Sequence, residues 1–143
     1  MYNVVYEFNN KVFCKSMTKN MMFNTSLTKY IDSLCLLSGT TYESSLKSGK
    51  RILKNVKKLP IYLSIINDYL IPLGNINEGG SFWISAKCYL SCYEEKGITY
   101  IKFKDKMVIP CHFSIFTIKK QYQKYLAFDK LRKEKLSSYG INL

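Results

Sequence analysis

The sequence predicts an α+β fold: antiparallel hairpins forming a sheet or partly closed barrel, short helices in the first half, and a helix at the C-terminal end. Three observations lead there. Short β-branched and aromatic runs flank turn residues in several places, apolar residues recur at three-to-four spacing in others, and the two kinds of segment do not alternate in regular βαβ order. With 143 residues, 47% of them hydrophobic and 15% aromatic, a single domain spanning 1–143 has the apolar material for a core, and disorder of the whole chain is excluded.

Taken in order, Val4–Phe8 and residues 11–14 read as strands joined by Asn9-Asn10, a pair that tolerates the positive φ of a tight hairpin turn. Residues 21–25 suit a further strand. From Leu27 to Leu37 the apolar residues Leu27, Tyr30, Ile31, Leu34, Cys35 and Leu37 follow a helical period, with Ser26 as N-cap and Gly39 as C-terminal stop. Residues 42–58 read as a basic helix with Leu46, Leu53 and Val56 on its packing side; Gly49 costs an interior helix about 1 kcal/mol, so a loop feeding a shorter helix is the alternative. Beyond Pro60, residues 61–66 and 69–73 read as short strands, 75–80 as a polar loop, and 82–93 as one full strand. Ile98–Phe103 alternates clearly, Asp105-Lys106 turns, and 107–109 returns. The last helix begins at Ser114 or Thr117 and runs to about Leu136. Its inner face is Ile115, Ile118, Tyr122, Tyr125 and Leu126; its outer face is Lys119, Lys120, Lys124, Lys130, Arg132, Lys133 and Lys135.

Several classes of function fall away. The longest apolar run, residues 59–66, contains Pro60 and Ser64 and is too short to span a bilayer. The first ten residues lack a basic region followed by an apolar one, and the five dispersed cysteines, Cys14, Cys35, Cys88, Cys92 and Cys111, do not resemble a secreted disulfide framework. Free thiols and a cytoplasmic location are the expectation. The single histidine, His112, adjoins Cys111, and strand neighbours point to opposite faces, so a Cys-His dyad is disfavoured. Cys88, Cys92, Cys111 and His112 lack a familiar zinc spacing, Gly79-Gly80 is not a phosphate loop, and the ten acids are scattered. No enzyme, cofactor or metal is expected.

Charge is the positive signal. Twenty-two Lys and Arg against ten Asp and Glu give a formal net charge of +12, and such a field attracts polyanions, nucleic acid foremost. Twenty of those cations are Lys, which also fits a bland Lys-rich surface, so arrangement must decide. Lys47, Lys50, Arg51, Lys54, Lys57 and Lys58 place six cations in twelve residues without an acid, on one broad face of the expected helix. A merely solvated helix face is the competing reading. Trp83 and Cys35 are assigned to the core.

The segment Ile31-Asp32-Ser33-Leu34-Cys35, then Gly39-Thr40-Thr41-Tyr42, then Lys58-Leu59-Pro60-Ile61 resembles the bacterial ComK competence transcription factor family. Pro72, Phe82-Trp83-Ile84-Ser85, Pro110 and Phe116 continue the likeness, which covers about residues 31–128. Ser44-Ser45 stand where the family has Gly-Arg, and the next basic residues are Lys47 and Lys50. The resemblance implies a cytoplasmic, nucleoid-associated activator of DNA-uptake genes. It would bind double-stranded AT-rich DNA largely through the minor groove, as a dimer or pair of dimers, with RNA polymerase and a proteolytic adaptor as further partners. On the residues themselves, Thr40, Thr41 and Tyr42 are the candidate hydroxyl contacts to phosphate or sugar, and Lys47, Lys50, Arg51, Lys54, Lys57 and Lys58 the cationic ones. For the hydroxyl trio, a capped turn is an equal reading. A Lys-rich surface with little Arg suits narrow-groove and backbone electrostatics better than bidentate guanine reading. Two alternatives stand beside this one: an RNA or single-strand binder using the 21 aromatics as stacking platforms, and a relative acting through protein contacts on its basic final helix.

Overall fold

In the computed structural model, residues 2–54, 57–74 and 81–141 are described. The chain runs β1 (Val4–Phe8), β2 (Lys11–Lys15), β3 (Asn20–Phe23), α1 (Leu27–Leu37), α2 (Tyr42–Ile52), β4 (Ile61–Leu63), β5 (Asp68–Pro72), β6 (Phe82–Ser85), β7 (Tyr89–Glu95), β8 (Ile98–Phe103), β9 (Val108–Cys111) and α3 (Ile115–Ser138). This is the expected α+β class. The strands form two antiparallel sheets, one ordered β3-β2-β1-β6-β5-β4 and one ordered β7-β8-β9. Among the described residues the larger sheet is open, with β3 and β4 at its edges.

Asn9 and Asn10 turn the first hairpin with φ of 50° and 60°, the geometry their short polar side chains tolerate. Pleating then divides neighbours between two cores. Val5, Leu70 and Trp83 face α1 with Leu27, Ile31 and Cys35, while Val4, Ile71 and Ile84 face Ile101, Phe103, Ile118 and Phe128. The large sheet is thus a middle layer between α1 and a layer of α3 with the small sheet. Each fully buried Leu, Ile or Phe stabilises this arrangement by roughly 1.5–3 kcal/mol. α2 joins the two cores at one end, giving Tyr42 to the first and Ile52 and Leu53 to the second.

Four local expectations are corrected. Residues 82–93 are two strands in different sheets, not one. Lys87 N–H donates to Asp68 Oδ1 at 3.1 Å and Cys88 N–H to Ser85 Oγ at 3.2 Å, while Ser85 Oγ donates to Asp68 Oδ2, so buried side chains replace ladder bonds and the chain turns out of the sheet. Strand β4 stops at Leu63, where Asn67 with φ of 49° closes the turn into β5. The basic helix ends at Ile52 and does not reach Lys58, which itself has φ of 54°. On α3, Gln121 is buried and Leu126 is 42% exposed, while Arg132 turns inward: its guanidinium stacks 4.0 Å from the Tyr62 ring and its Nε donates to Tyr69 Oη at 2.7 Å. Val56 and the 75–80 loop lie outside the described residues.

Candidate nucleic-acid interface

The α1–α2 corner is built from local bonds. Ser26 Oγ accepts the Lys29 N–H to start α1, and Gly39, at φ of +88°, ends it with its N–H on the Leu36 carbonyl. Thr40 N–H donates to the Cys35 carbonyl at 2.9 Å, and Thr41 Oγ1 then caps α2 by accepting Ser44 N–H at 3.0 Å. Asp32 Oδ1 accepts Tyr42 N–H at 2.9 Å, tying the first turn of α2 to the middle of α1. Tyr42 is half-buried, its ring edge-on to buried Trp83 at 6.4 Å between centroids, and burial, then Cys35, pushes its hydroxyl pKa up. Thr40 Oγ1 donates to the Thr41 carbonyl at 3.4 Å. The three hydroxyl residues therefore belong to the capped corner, and this corner aims α2.

At about 100° per residue, Lys50, Lys47 and Arg51 fall within one arc of α2, and all three are exposed. Glu43 sits in the same arc. Its Oε1 pairs with Lys47 Nζ at 3.2 Å, both side chains well exposed, so the pair is worth only a few tenths of a kcal/mol and screens Lys47 slightly. Gly49 is buried opposite: a Cβ there would approach Leu59 Cδ1 and Phe128 Cε2 to 3.3 Å, so only a small residue fits where α2 meets α3. Lys54 follows the helix and is exposed.

The six cations of the basic segment are consequently divided. Lys47, Lys50 and Arg51 are on α2, Lys54 is just past its end, and Lys57 and Lys58 are fastened to α3 instead. Gln121 Nε2 donates to the Lys58 carbonyl at 2.9 Å and Lys124 Nζ to the Lys57 carbonyl at 2.8 Å. Two hollows lie along α3, the first between it and α2 and the second between it and the 57–58 turn. One, about 350 Å³, has Arg51, Arg132 and Lys135 on its walls, and the other, about 270 Å³, gathers Lys57, Lys58, Lys120 and Lys124. The sequence places Lys120 and Lys124 on the outer face of the last helix; only their meeting with a turn some sixty residues earlier brings them to the segment, and no local pattern signals that.

Most aromatic residues pack against one another, as in Tyr69 with Tyr125 and Phe128, or Tyr89 with Tyr122. Phe8, Phe116 and Tyr139 are the most exposed rings among the described residues, on separate elements. Cys14, Cys35, Cys88, Cys92 and Cys111 are free thiols, and no group of three His, Cys, Asp or Glu suited to a metal occurs among the described residues. No helix among them is long and apolar enough to cross a membrane.

No curated protein and no solved structure matches the chain. The family described as ComK protein matches residues 4–136, spanning β1 to nearly the end of α3 and so including the α1–α2 corner, both sheets and the basic seam. The chain belongs to the ComK family.

Proposed function

We propose that the protein is a non-enzymatic transcription activator of competence genes that binds duplex DNA with its α2 face and the adjoining α2–α3 seam. One observation carries this: exposed Lys47, Lys50 and Arg51 share an arc of α2, and Arg51 continues into a hollow with Arg132 and Lys135 from α3. Cations from two elements so arranged suit a ridge of phosphates, and the predominance of Lys suits the strongly negative narrow groove of AT-rich DNA. Thr40, Thr41 and Tyr42 enter the proposal as hydroxyl contacts at the N-terminal end of α2, and Lys54, Lys57 and Lys58 as flanking cations. A cytoplasmic location, self-association as a dimer or pair of dimers, contact with RNA polymerase and control by a proteolytic adaptor rest on family membership alone.

The test is titration of an AT-rich and a GC-rich duplex across a salt series, with log K falling by about 0.9 per decade of salt for each phosphate contact. The AT-rich duplex is expected to bind more tightly. Replacing Lys50, Arg51 and Lys54 with Glu should abolish duplex binding while circular dichroism and the melting temperature stay close to wild type. Equal affinity for the two duplexes at about 150 mM salt, or a slope near zero, rejects the reading.

A further inference from the structure

The smaller hollow differs from the α2 face in being concave and in uniting cations that the sequence separates. Lys57, Lys58, Lys120 and Lys124 line it with Thr117, and no carboxylate does among the described residues. Backbone carbonyls fix its floor. Gln121 Nε2 bridges the carbonyls of Lys58 and Pro72, at 2.9 and 2.6 Å, and Lys124 Nζ is anchored on the Lys57 carbonyl. Burial lowers the basicity of Lys124, and the like charges of Lys120 and Lys58 lower it further. An anion placed among them reverses that repulsion into attraction. Thr117 belongs to the first turn of α3, whose amide end adds partial positive charge.

A second feature stands at the rim. Phe116 is 74% exposed, and its ring borders both this hollow and an adjoining apolar groove walled by Leu53 and Ala127. An exposed ring beside a cationic hollow matches the two contacts that a nucleotide offers, an anionic group and a flat or apolar ring next to it.

We propose that this hollow binds one nucleotide unit, its lysines holding the phosphate and the Phe116 ring packing on the attached sugar or base. A DNA strand and a free nucleotide present the same chemistry. With a DNA strand as source, the inference rests on the duplex-binding reading above; with a free nucleotide it stands apart from it.

The experiment titrates the full chain with pyrophosphate, ADP and an AT-rich duplex by calorimetry. Three variants accompany it: Lys120→Gln with Lys124→Gln, Phe116→Ala, and Lys120→Gln alone, which keeps the Lys124 anchor should the double variant fail to fold. ADP is expected to bind saturably and more tightly than pyrophosphate. The double variant should lose both ligands, and Phe116→Ala should weaken ADP about tenfold while leaving pyrophosphate unchanged. A salt slope on the duplex reduced by about 1.8 in the double variant, together with weaker duplex binding by Phe116→Ala, identifies the DNA strand as source. An unchanged slope with ADP binding lost identifies the free nucleotide. Intact ADP binding in a protein that ignores duplex DNA sinks the duplex reading and leaves this one standing. If ADP and pyrophosphate both fail to bind saturably and Phe116→Ala leaves duplex affinity unaltered, the proposal is overturned, because any change of slope is then ordinary surface charge.

Discussion

Asp68 shows how one side chain sets both topology and pH response. It is 2% exposed, accepts hydrogen bonds from Ser85 Oγ and from the Tyr69 and Lys87 N–H groups, and lies where the chain leaves the large sheet for the small one. Burial raises its pKa above the ordinary Asp value, and the hydrogen bonds oppose that rise without cancelling it. A carboxyl whose folded pKa is raised binds its proton more tightly in the native state. Its contribution to stability is therefore full below the ordinary Asp pKa and is lost as pH rises through the raised folded value. Comparing urea midpoints of wild type and Asp68→Asn from about pH 3 to 7 should show the wild type losing ground to the variant as pH rises. A pH-independent difference between the two would mean that Asp68 does not titrate in that window. Thr41 and Asp32 act at the same scale: one hydroxyl and one carboxylate satisfy the first amides of α2 and fix the direction in which its cations point.

Between elements, the contact that matters most for the basic surface is α2 on α3. Gly49 permits it, with Leu59 and Phe128 each 3.3 Å from where a Cβ would sit. A methyl group there gains helix propensity of about 1 kcal/mol and meets only side-chain atoms, so alanine is a near-balanced change. Valine is not. Gly49→Val should destabilise by about 1–3 kcal/mol through overpacking and push α2 away from α3, lowering the urea midpoint and weakening duplex binding together. Normal stability in that variant would show that the seam has slack. The small sheet illustrates another element-level rule: Pro110 lies on β9, which among the described residues pairs only with β8, and an edge strand accommodates a residue without a donor.

For the whole molecule, a formal charge of +12 on 143 residues is a self-repulsion that the fold concentrates along α2, the 57–58 turn and α3. Screening should relieve it. Raising salt from about 20 to about 300 mM shortens the Debye length from roughly 20 to 6 Å and is expected to raise the urea midpoint of the free protein, while the same change weakens a duplex complex. A free protein destabilised by salt would indicate that attractive ion pairs outweigh repulsion, contrary to the sparse pairing among the described residues, Glu43–Lys47 and Asp129–Lys133.

The α+β class, the Asn9-Asn10 hairpin, both ends of α1, strand β8 and the capped start of α3 were legible in the sequence, because each depends on periodicity or on a capping or turn residue within a few positions. So were the positive charge and the likeness to the ComK family. What the sequence could not supply is governed by contacts between distant residues. The break between β6 and β7 carries no glycine, proline or asparagine, and is made by Asp68 from another strand. The basic stretch, expected as one helix over 42–58 or as a loop feeding a shorter helix, is instead helical in its first part, with the helix ending at Ile52, and its last two lysines are held through their carbonyls by Gln121 and Lys124. Local bonding chose the elements; packing across the chain chose which cations share a surface, because charge placement depends on where backbones come to rest and not on spacing along one of them.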